Sequence, residues 1–311
     1  MDLLSAAEKI KSMEIRGASR IAKFAAEVMK EHALKVRDNF DEEMMKASQI
    51  LLNTRPTAVS LYNAINYIMR YTGSTPEEKR ASLIRRADEF IGWVDSAQRK
   101  IAEIGERRIK DGSTILTHCN SSAAIAVIKR AHEAGKRIEV FATESRPRWQ
   151  GHITAKQLRE AGIEVTLIVD SAVRYFISEV DCVIVGADTI TANGALVNKI
   201  GTSQVALCAK EARVPFIVAA ETFKFSPKTI FGELVLIEER SAEEVAPKEL
   251  LELGVKVRNP AFDVTPRDYI DVIITEIGAI PPEMAYLVIK DRLGYTEISR
   301  EELRFDSEHY E

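Results

Sequence analysis

Gly186-Ala187-Asp188-Thr189-Ile190-Thr191-Ala192-Asn193-Gly194-Ala195-Leu196-Val197-Asn198-Lys199-Ile200-Gly201-Thr202 is the stretch that decides how this chain folds. An apolar run, Val183 to Val185, precedes it and a helical pattern follows, so it reads as the carboxyl end of a buried parallel strand opening into a loop. Open α/β sheets place their ligands at such ends. A lone Asp after a strand is more often a turn former or helix cap, but Asp188 has company. Asn198-Lys199, a pair able to hold an anion, is read on the same loop, and an earlier strand, Thr114 to Thr117, ends in His118-Cys119-Asn120-Ser121-Ser122.

Outward from that stretch, short apolar runs at Thr114 to Thr117, Ile138 to Ala142, Val165 to Val169, Val183 to Val185, Phe216 to Ala219 and Val272 to Thr275 alternate with helical patterns such as Ser122 to Ala134 and Gly201 to Ala212. Repeated strand-helix-strand units with buried strands predict a doubly wound, Rossmann-like parallel sheet over 113–311. Before it the pattern is helical only, with apolar residues three and four apart, as in Ala25, Val28, Met29 and Ala33. Thr75-Pro76 supplies a cap and a first-turn proline for a long charged helix, Glu77 to Lys110, closing at Asp111-Gly112. The class is therefore α/β: an all-helical domain over 1–112, then the sheet domain, with the site expected at their interface. Glu238 to Glu252 reads as a charged surface excursion.

With 311 residues and 46% apolar content the chain can bury a full core. A net charge of −4 and the lack of a basic run argue against a nucleic-acid partner. Cys119, Cys182 and Cys208 are odd in number and widely spaced, which predicts neither a disulfide framework nor a metal site and points to a reducing compartment. No apolar run reaches membrane-spanning length and the amino terminus has no signal-peptide pattern, so a cytoplasmic protein with no membrane partner is expected. High charge with few Asn and Gln leans toward a heat-adapted source.

Several polar residues follow strands. Cys119 lies between a strand and the amino end of a helix, where free N–H groups favour an anion, so a thiolate is expected. Cys182 and Cys208 read as buried small hydrophobes. Asn120, Ser121 and Ser122 bring donors to the same helix end, each also readable as plain capping. Arg146 and Arg148, with Gln150 and Gly151 close behind, suit a phosphate, because guanidinium forks bind its oxygens bidentately. Lys224, between Phe223 and Phe225, is a further candidate anion ligand. In the helical part, Gly17 allows backbone to approach a ligand beside Arg16 and Ala18. Pro56 is expected to open a helix, leaving Arg55 beside free N–H donors.

Together Arg16-Gly17-Ala18, Asn53 through Val59, His118-Cys119-Asn120, Glu144-Ser145-Arg146-Pro147 with Gln150-Gly151, Gly186-Ala187-Asp188, and Asn193-Gly194 through Thr202 resemble one family across essentially the whole chain. That family holds the methylthioribose-1-phosphate isomerases, the archaeal ribose-1,5-bisphosphate isomerases and the alpha, beta and delta regulatory subunits of the initiation-factor-two exchange factor. In its catalytic branches the Cys and Asp of these motifs form an acid-base pair; the chain retains both as Cys119 and Asp188. Ser121-Ser122 in place of a small residue and Gly, with Arg146, Arg148 and Lys224, makes it look like the ribose-1,5-bisphosphate isomerase branch.

The resemblance implies conversion of α-D-ribose 1,5-bisphosphate to D-ribulose 1,5-bisphosphate in adenosine monophosphate salvage. Asp188, held protonated in an enclosed pocket, gives its proton to the ring oxygen, and Cys119 removes the proton from carbon two through an enol-phosphate intermediate. Arg16 and Arg55, with the backbone at Ala18, clamp the 1-phosphate; Asn198 and Lys199 hold hydroxyls or phosphate; Gly17 and Gln150 are further substrate-binding candidates; Arg148 and Lys224 are assigned to the 5-phosphate. No metal or organic cofactor is implied. A homo-oligomer, dimer or hexamer, is implied, and adenosine monophosphate is carried as a candidate activator. The alternatives are a methylthioribose-1-phosphate isomerase and a non-catalytic regulatory subunit.

Overall fold

The computed structural model describes residues 2–15, 17–231 and 235–294. The described residues form two compact units: one comprises those up to Ala97 with Phe223–Phe225, the other those of Gln98–Thr222 and from Ser226 to Gly294.

The first unit contains α1 (Leu3–Lys11), α2 (Ala18–Lys35), α3 (Phe40–Leu52), α4 (Val59–Met69) and the first part of α5 (Pro76–Glu106). The apolar stripe Ala25, Val28, Met29 and Ala33 of α2 is buried with Met44, Leu51, Leu61, Ile65 and Phe90. Thr75 starts α5 through a reciprocal cap: its hydroxyl accepts from Glu78 N at 3.2 Å, and the Glu78 carboxylate accepts from Thr75 N at 3.3 Å. The proline at Pro56 behaves otherwise than its sequence suggests. Ala58 N donates to Arg55 O at 3.0 Å, closing a turn around Pro56, and α4 begins only at Val59. Proline's fixed φ suits the second position of such a turn equally well. Asn63, buried on α4, donates from Nδ2 to the carbonyls of Phe223 and Phe225 at 2.8 Å each, tying that short segment to the helices.

The division between the units falls inside α5. Past Ala97 its apolar residues, Ile101 and Ile104, pack with Val127, Ile128 and Ile274 of the second unit's core. The helix ends at Glu106, four residues before the sequence expectation.

The second unit continues with β1 (Thr114–Thr117), α6 (Ser122–Glu133), β2 (Glu139–Thr143), α7 (Gln150–Glu160), β3 (Glu164–Ile168), α8 (Val173–Phe176), β4 (Cys182–Val185), β5 (Thr189–Ile190), β6 (Leu196–Lys199), α9 (Thr202–Ala212) and β7 (Phe216–Ala219). Then come α10 (Lys248–Glu252), β8 (Phe262–Thr265), β9 (Val272–Thr275), β10 (Gly278–Ile280) and α11 (Ala285–Leu293). The seven-stranded sheet has the order β10-β9-β7-β4-β1-β2-β3, parallel but for β10. From β1 the chain winds to β2 and β3 on one side, then returns to β4, β7 and β9 on the other. Strand order therefore reverses between β1 and β4, and the crevice outside their carboxyl ends is where a doubly wound sheet receives a ligand.

The segment after Val185 is not an open loop: β5 and β6 form a hairpin, and β6 pairs with β8 to make a second, antiparallel sheet. Asn198 and Lys199 thus lie on a strand, where adjacent side chains point to opposite faces. Among the described residues no helix is long and apolar enough to cross a membrane.

Candidate active site

The two neighbouring strands at the switch point end in the candidate residues. β1 runs into His118-Cys119-Asn120 and β4 into Gly186-Ala187-Asp188. Asp188 is held at the start of the hairpin by its own N–H, which donates to Val197 O at 3.0 Å. Lys199, two residues further along that strand, is 5% exposed; its Nζ donates to Ala261 O at 3.1 Å and lies 5.0 Å from the Phe262 ring centroid. Cys119, Asp188 and Lys199 act on one another electrostatically.

The thiolate expected at a helix amino end is not the resting state of Cys119. Burial pushes its thiol up to about 11; Lys199 and the backbone N–H of Asn120 oppose this, while Asp188 and Asp170 add to it. Desolvation of a charge outweighs the partial charge of a helix end two residues away. Burial likewise lowers Lys199 from the usual lysine value, with Cys119 and Asp188 opposing and Arg240 assisting. The resting pair is thus drawn toward its uncharged forms.

Cys119 adopts the left-handed conformation, φ 69°, and so does Ser145, φ 58°. The two are joined: Cys119 N donates to Ser145 Oγ at 2.8 Å. Asp170, just past β3, accepts Ser145 N on one oxygen and Arg146 N on the other, each at 2.7 Å. His118 is buried behind them. Its Nε2 lies 2.8 Å from Ile200 O, which can only accept, so Nε2 carries the hydrogen and Nδ1 accepts from Thr143 Oγ1 at 2.6 Å. Burial lowers the His118 pKa, so at 4.0 Å from Asp170 the ring is neutral and forms no salt bridge.

The remaining expected residues fall in several places. Asn120 spends its amide on Thr154 Oγ1 and Gln157 Oε1, at 3.0 and 3.2 Å, and Thr154 in turn donates to Cys119 O at 2.7 Å. Ser121 is the cap of α6, accepting from Ala124 N at 3.3 Å, which realises its plain capping reading. Ser122, exposed, lines a groove of about 600 Å³ with Gln98, Lys129, Arg130 and Gln157. Asn198 donates to Thr202 Oγ1 at 3.1 Å. Gln150 opens α7, and its Oε1 is buried without a hydrogen-bond partner among the described residues. Gly151 is obligatory beside it, since a Cβ there would stand 1.6 Å from Thr143 O.

Arg146 stacks over the Trp149 ring at 4.6 Å. Arg148 is held by Glu244 at 2.8 and 2.6 Å, so the charged excursion reaches back to this loop. Gly17, Ala18, Arg55 and Lys224 belong to the helical unit, with Lys224 buried in a 3-10 turn. Arg16 lies outside the described residues. Asp170 escaped the sequence reading, although Ile168-Val169-Asp170 places a carboxylate after an apolar run just as Val185 to Asp188 does. Among the described residues no cluster of three or more His, Cys, Asp or Glu is arranged to hold a metal.

Residues 14–282 match the Initiation factor 2 subunit family. The chain is 76% identical over 311 residues to the ribose 1,5-bisphosphate isomerase of Archaeoglobus fulgidus, covering 100% of this chain and 99% of that one. It is 40% identical over 301 residues to the methylthioribose-1-phosphate isomerase of Acetivibrio thermocellus, covering 90% and 88% of the two chains. The crystal structure of the translation initiation factor eIF-2B of Pyrococcus horikoshii OT3 superposes with a TM-score of 0.79 at 37% identity, over 90% of this chain and 97% of that one. From matching motifs, fold and sequence, the chain belongs to the Initiation factor 2 subunit family.

Proposed function

We propose that the chain is an aldose-ketose isomerase that converts α-D-ribose 1,5-bisphosphate to D-ribulose 1,5-bisphosphate. The observation carrying this reading is the placement of Cys119 and Asp188 on the two strand ends that flank the switch point, with Lys199 coupled to both. The 76% identity to a relative bearing that activity's name, against 40% to a methylthioribose-1-phosphate isomerase, favours a second phosphate over a methylthio group on the substrate.

Because the anomeric oxygen carries phosphate, the ring opens only if its own oxygen is protonated. Asp188 gives that proton, and the bond from carbon one to the ring oxygen breaks. Cys119 takes the proton from carbon two, leaving an enol phosphate. The proton on Cys119 then passes to carbon one while the 2-hydroxyl gives its own to the Asp188 carboxylate, which forms the ketose and restores both groups. Cys119 must be a thiolate for its step; the Lys199 ammonium and Asn120 N–H favour that form, and transfer of the thiol proton to the Lys199 amine produces both charges at once. Gln150 Oε1 offers an acceptor for a sugar hydroxyl. Arg16, Gly17, Ala18 and Arg55 take the 1-phosphate and Lys224 the 5-phosphate; Arg148, already paired with Glu244, contributes less. Arg146 and the Ser121-Ser122 end of α6 are further candidate contacts, whereas Asn198, on the strand face opposite Lys199 and bonded to Thr202 Oγ1, has no part in the scheme. No metal or organic cofactor enters this scheme. The reading extends to a cytoplasmic homo-oligomer working in nucleotide salvage, with adenosine monophosphate as candidate activator.

The test offers purified protein α-D-ribose 1,5-bisphosphate and methylthioribose 1-phosphate in parallel. Preference of at least about tenfold in kcat/KM for the bisphosphate supports the reading, since losing one charged phosphate contact costs more than 1.4 kcal/mol. Turnover of the methylthio sugar alone moves the chain to the other isomerase branch, and turnover of neither leaves the regulatory-subunit reading.

A further inference from the structure

Two strained residues bonded to each other call for something that holds them. Cys119 and Ser145 both have positive φ without being glycine, a conformation kept only where surroundings over-determine it. Ser145 is over-determined from three sides. Asp170 takes its N–H and that of Arg146; its hydroxyl takes the Cys119 N–H; and Thr143 lies 3.2 Å from that same oxygen, itself donating to His118 Nδ1. Each link belongs to the carboxyl end of a different strand: β1 for Cys119, β2 for Thr143 and Ser145, and the end of β3 for Asp170.

From this chain of bonds we propose that Asp170, acting through Ser145, is the positioning residue of Cys119: it fixes the backbone that aims the thiol, and its carboxylate lies on the same side of the site as the charge the thiolate must form. Asp170 is not a catalytic residue, since it touches the 145–146 backbone and not the reacting atoms. The inference rests on Cys119 being the base of the proposed isomerisation. The charged and titratable groups acting on the thiol are Lys199 from β6, Asp188 from the end of β4 and Asp170, with neutral His118 adjacent in the chain. Of these, Asp170 alone combines an electrostatic effect on the thiol with a direct hydrogen-bonded hold on its backbone partner.

The two effects oppose one another, which gives the test its sign. Replacing Asp170 by Asn removes a negative charge, so the thiol should ionise more easily; it also loosens Ser145, so the aim should be lost. The experiment measures iodoacetamide alkylation of Cys119 against pH, read by mass spectrometry at that residue, in the full chain and in Asp170→Asn and Ser145→Gly. Glycine suits the left-handed backbone at position 145, so Ser145→Gly removes the hydroxyl with its Cβ and adds no backbone strain, and it serves if Asp170→Asn fails to fold. In Asp170→Asn, alkylation at a fixed pH below the thiol's titration should rise at least about threefold, a half-unit shift. With the bisphosphate, kcat should fall about tenfold or more in both variants, with KM changed less than about twofold. Unchanged alkylation in Asp170→Asn, or unchanged kcat in Ser145→Gly, overturns the proposal. Alkylation needs no substrate, so a wild-type protein inert toward the bisphosphate defeats the functional reading while the effect of Asp170 on the thiol is still decided.

Discussion

A Cβ on Gly186 would stand 2.1 Å from the hydroxyl oxygen of Ser121 and 2.4 Å from its Cβ. The glycine that precedes Asp188 by two residues is therefore glycine because the cap of α6 occupies the place of its side chain. This contact locks the two strand ends of the candidate site in one register, Cys119 on one side and Asp188 on the other.

Gly186→Ala should displace Ser121, losing the cap and overpacking the crevice, at about 1–3 kcal/mol. Adding Ser121→Gly removes the clashing atoms for a few tenths of a kcal/mol. The double variant should recover most of the loss in chemical unfolding midpoints. Additive losses would mean that the two positions do not contact each other.

Lys199 is the positive charge that favours the Cys119 thiolate. In the wild type, alkylation of Cys119 should rise about tenfold per pH unit up to its titration near 11. Lys199→Met withdraws that support, so the titration moves further up and alkylation at pH 9 slows by about threefold or more. Equal rates in the two proteins would remove Lys199 from the account of how the base is formed.

Asp263 gives stability an unusual dependence on pH. It sits on β8, half-buried, and accepts from Gly201 N at 2.8 Å and Ser203 N at 3.1 Å, capping α9. Burial raises its carboxyl from 3.8 to about 6, against the pull of those two N–H groups. Between these values the folded chain holds a proton that the unfolded chain has released, so this group's contribution falls as pH rises from about 4 to about 6. Unfolding midpoints for wild type minus Asp263→Asn should decrease across that window. A difference that is flat or that increases contradicts the burial argument.

How much of this was legible in the sequence depends on distance along the chain. The parallel strands announce themselves as runs such as Thr114–Thr117 and Phe216–Ala219, because a strand covered on both faces must be apolar throughout. The second sheet does not, since Leu196–Lys199 finds its partner, Phe262–Thr265, about sixty residues later. Even so, Asn193-Gly194 between Thr189–Ile190 and Leu196–Lys199 is a hairpin signal that the loop reading passed over. Cys119 and Asp188 are legible because they end strands. The protonated state of Cys119 is not, because it depends on burial by elements far off in sequence, and Pro56 fits a turn as well as a helix start.

The measurement that bears most directly on the central claim follows hydrogen at carbon two of α-D-ribose 1,5-bisphosphate during conversion by wild type, Cys119→Ser and Asp188→Asn. The account predicts that wild type forms ribulose 1,5-bisphosphate with a primary isotope effect when carbon two carries deuterium. Both variants should lose at least about 10²-fold in kcat, the range expected for removing a general acid or base. Full activity in Cys119→Ser or in Asp188→Asn would contradict the assignment of this pair as the acid and base of the reaction.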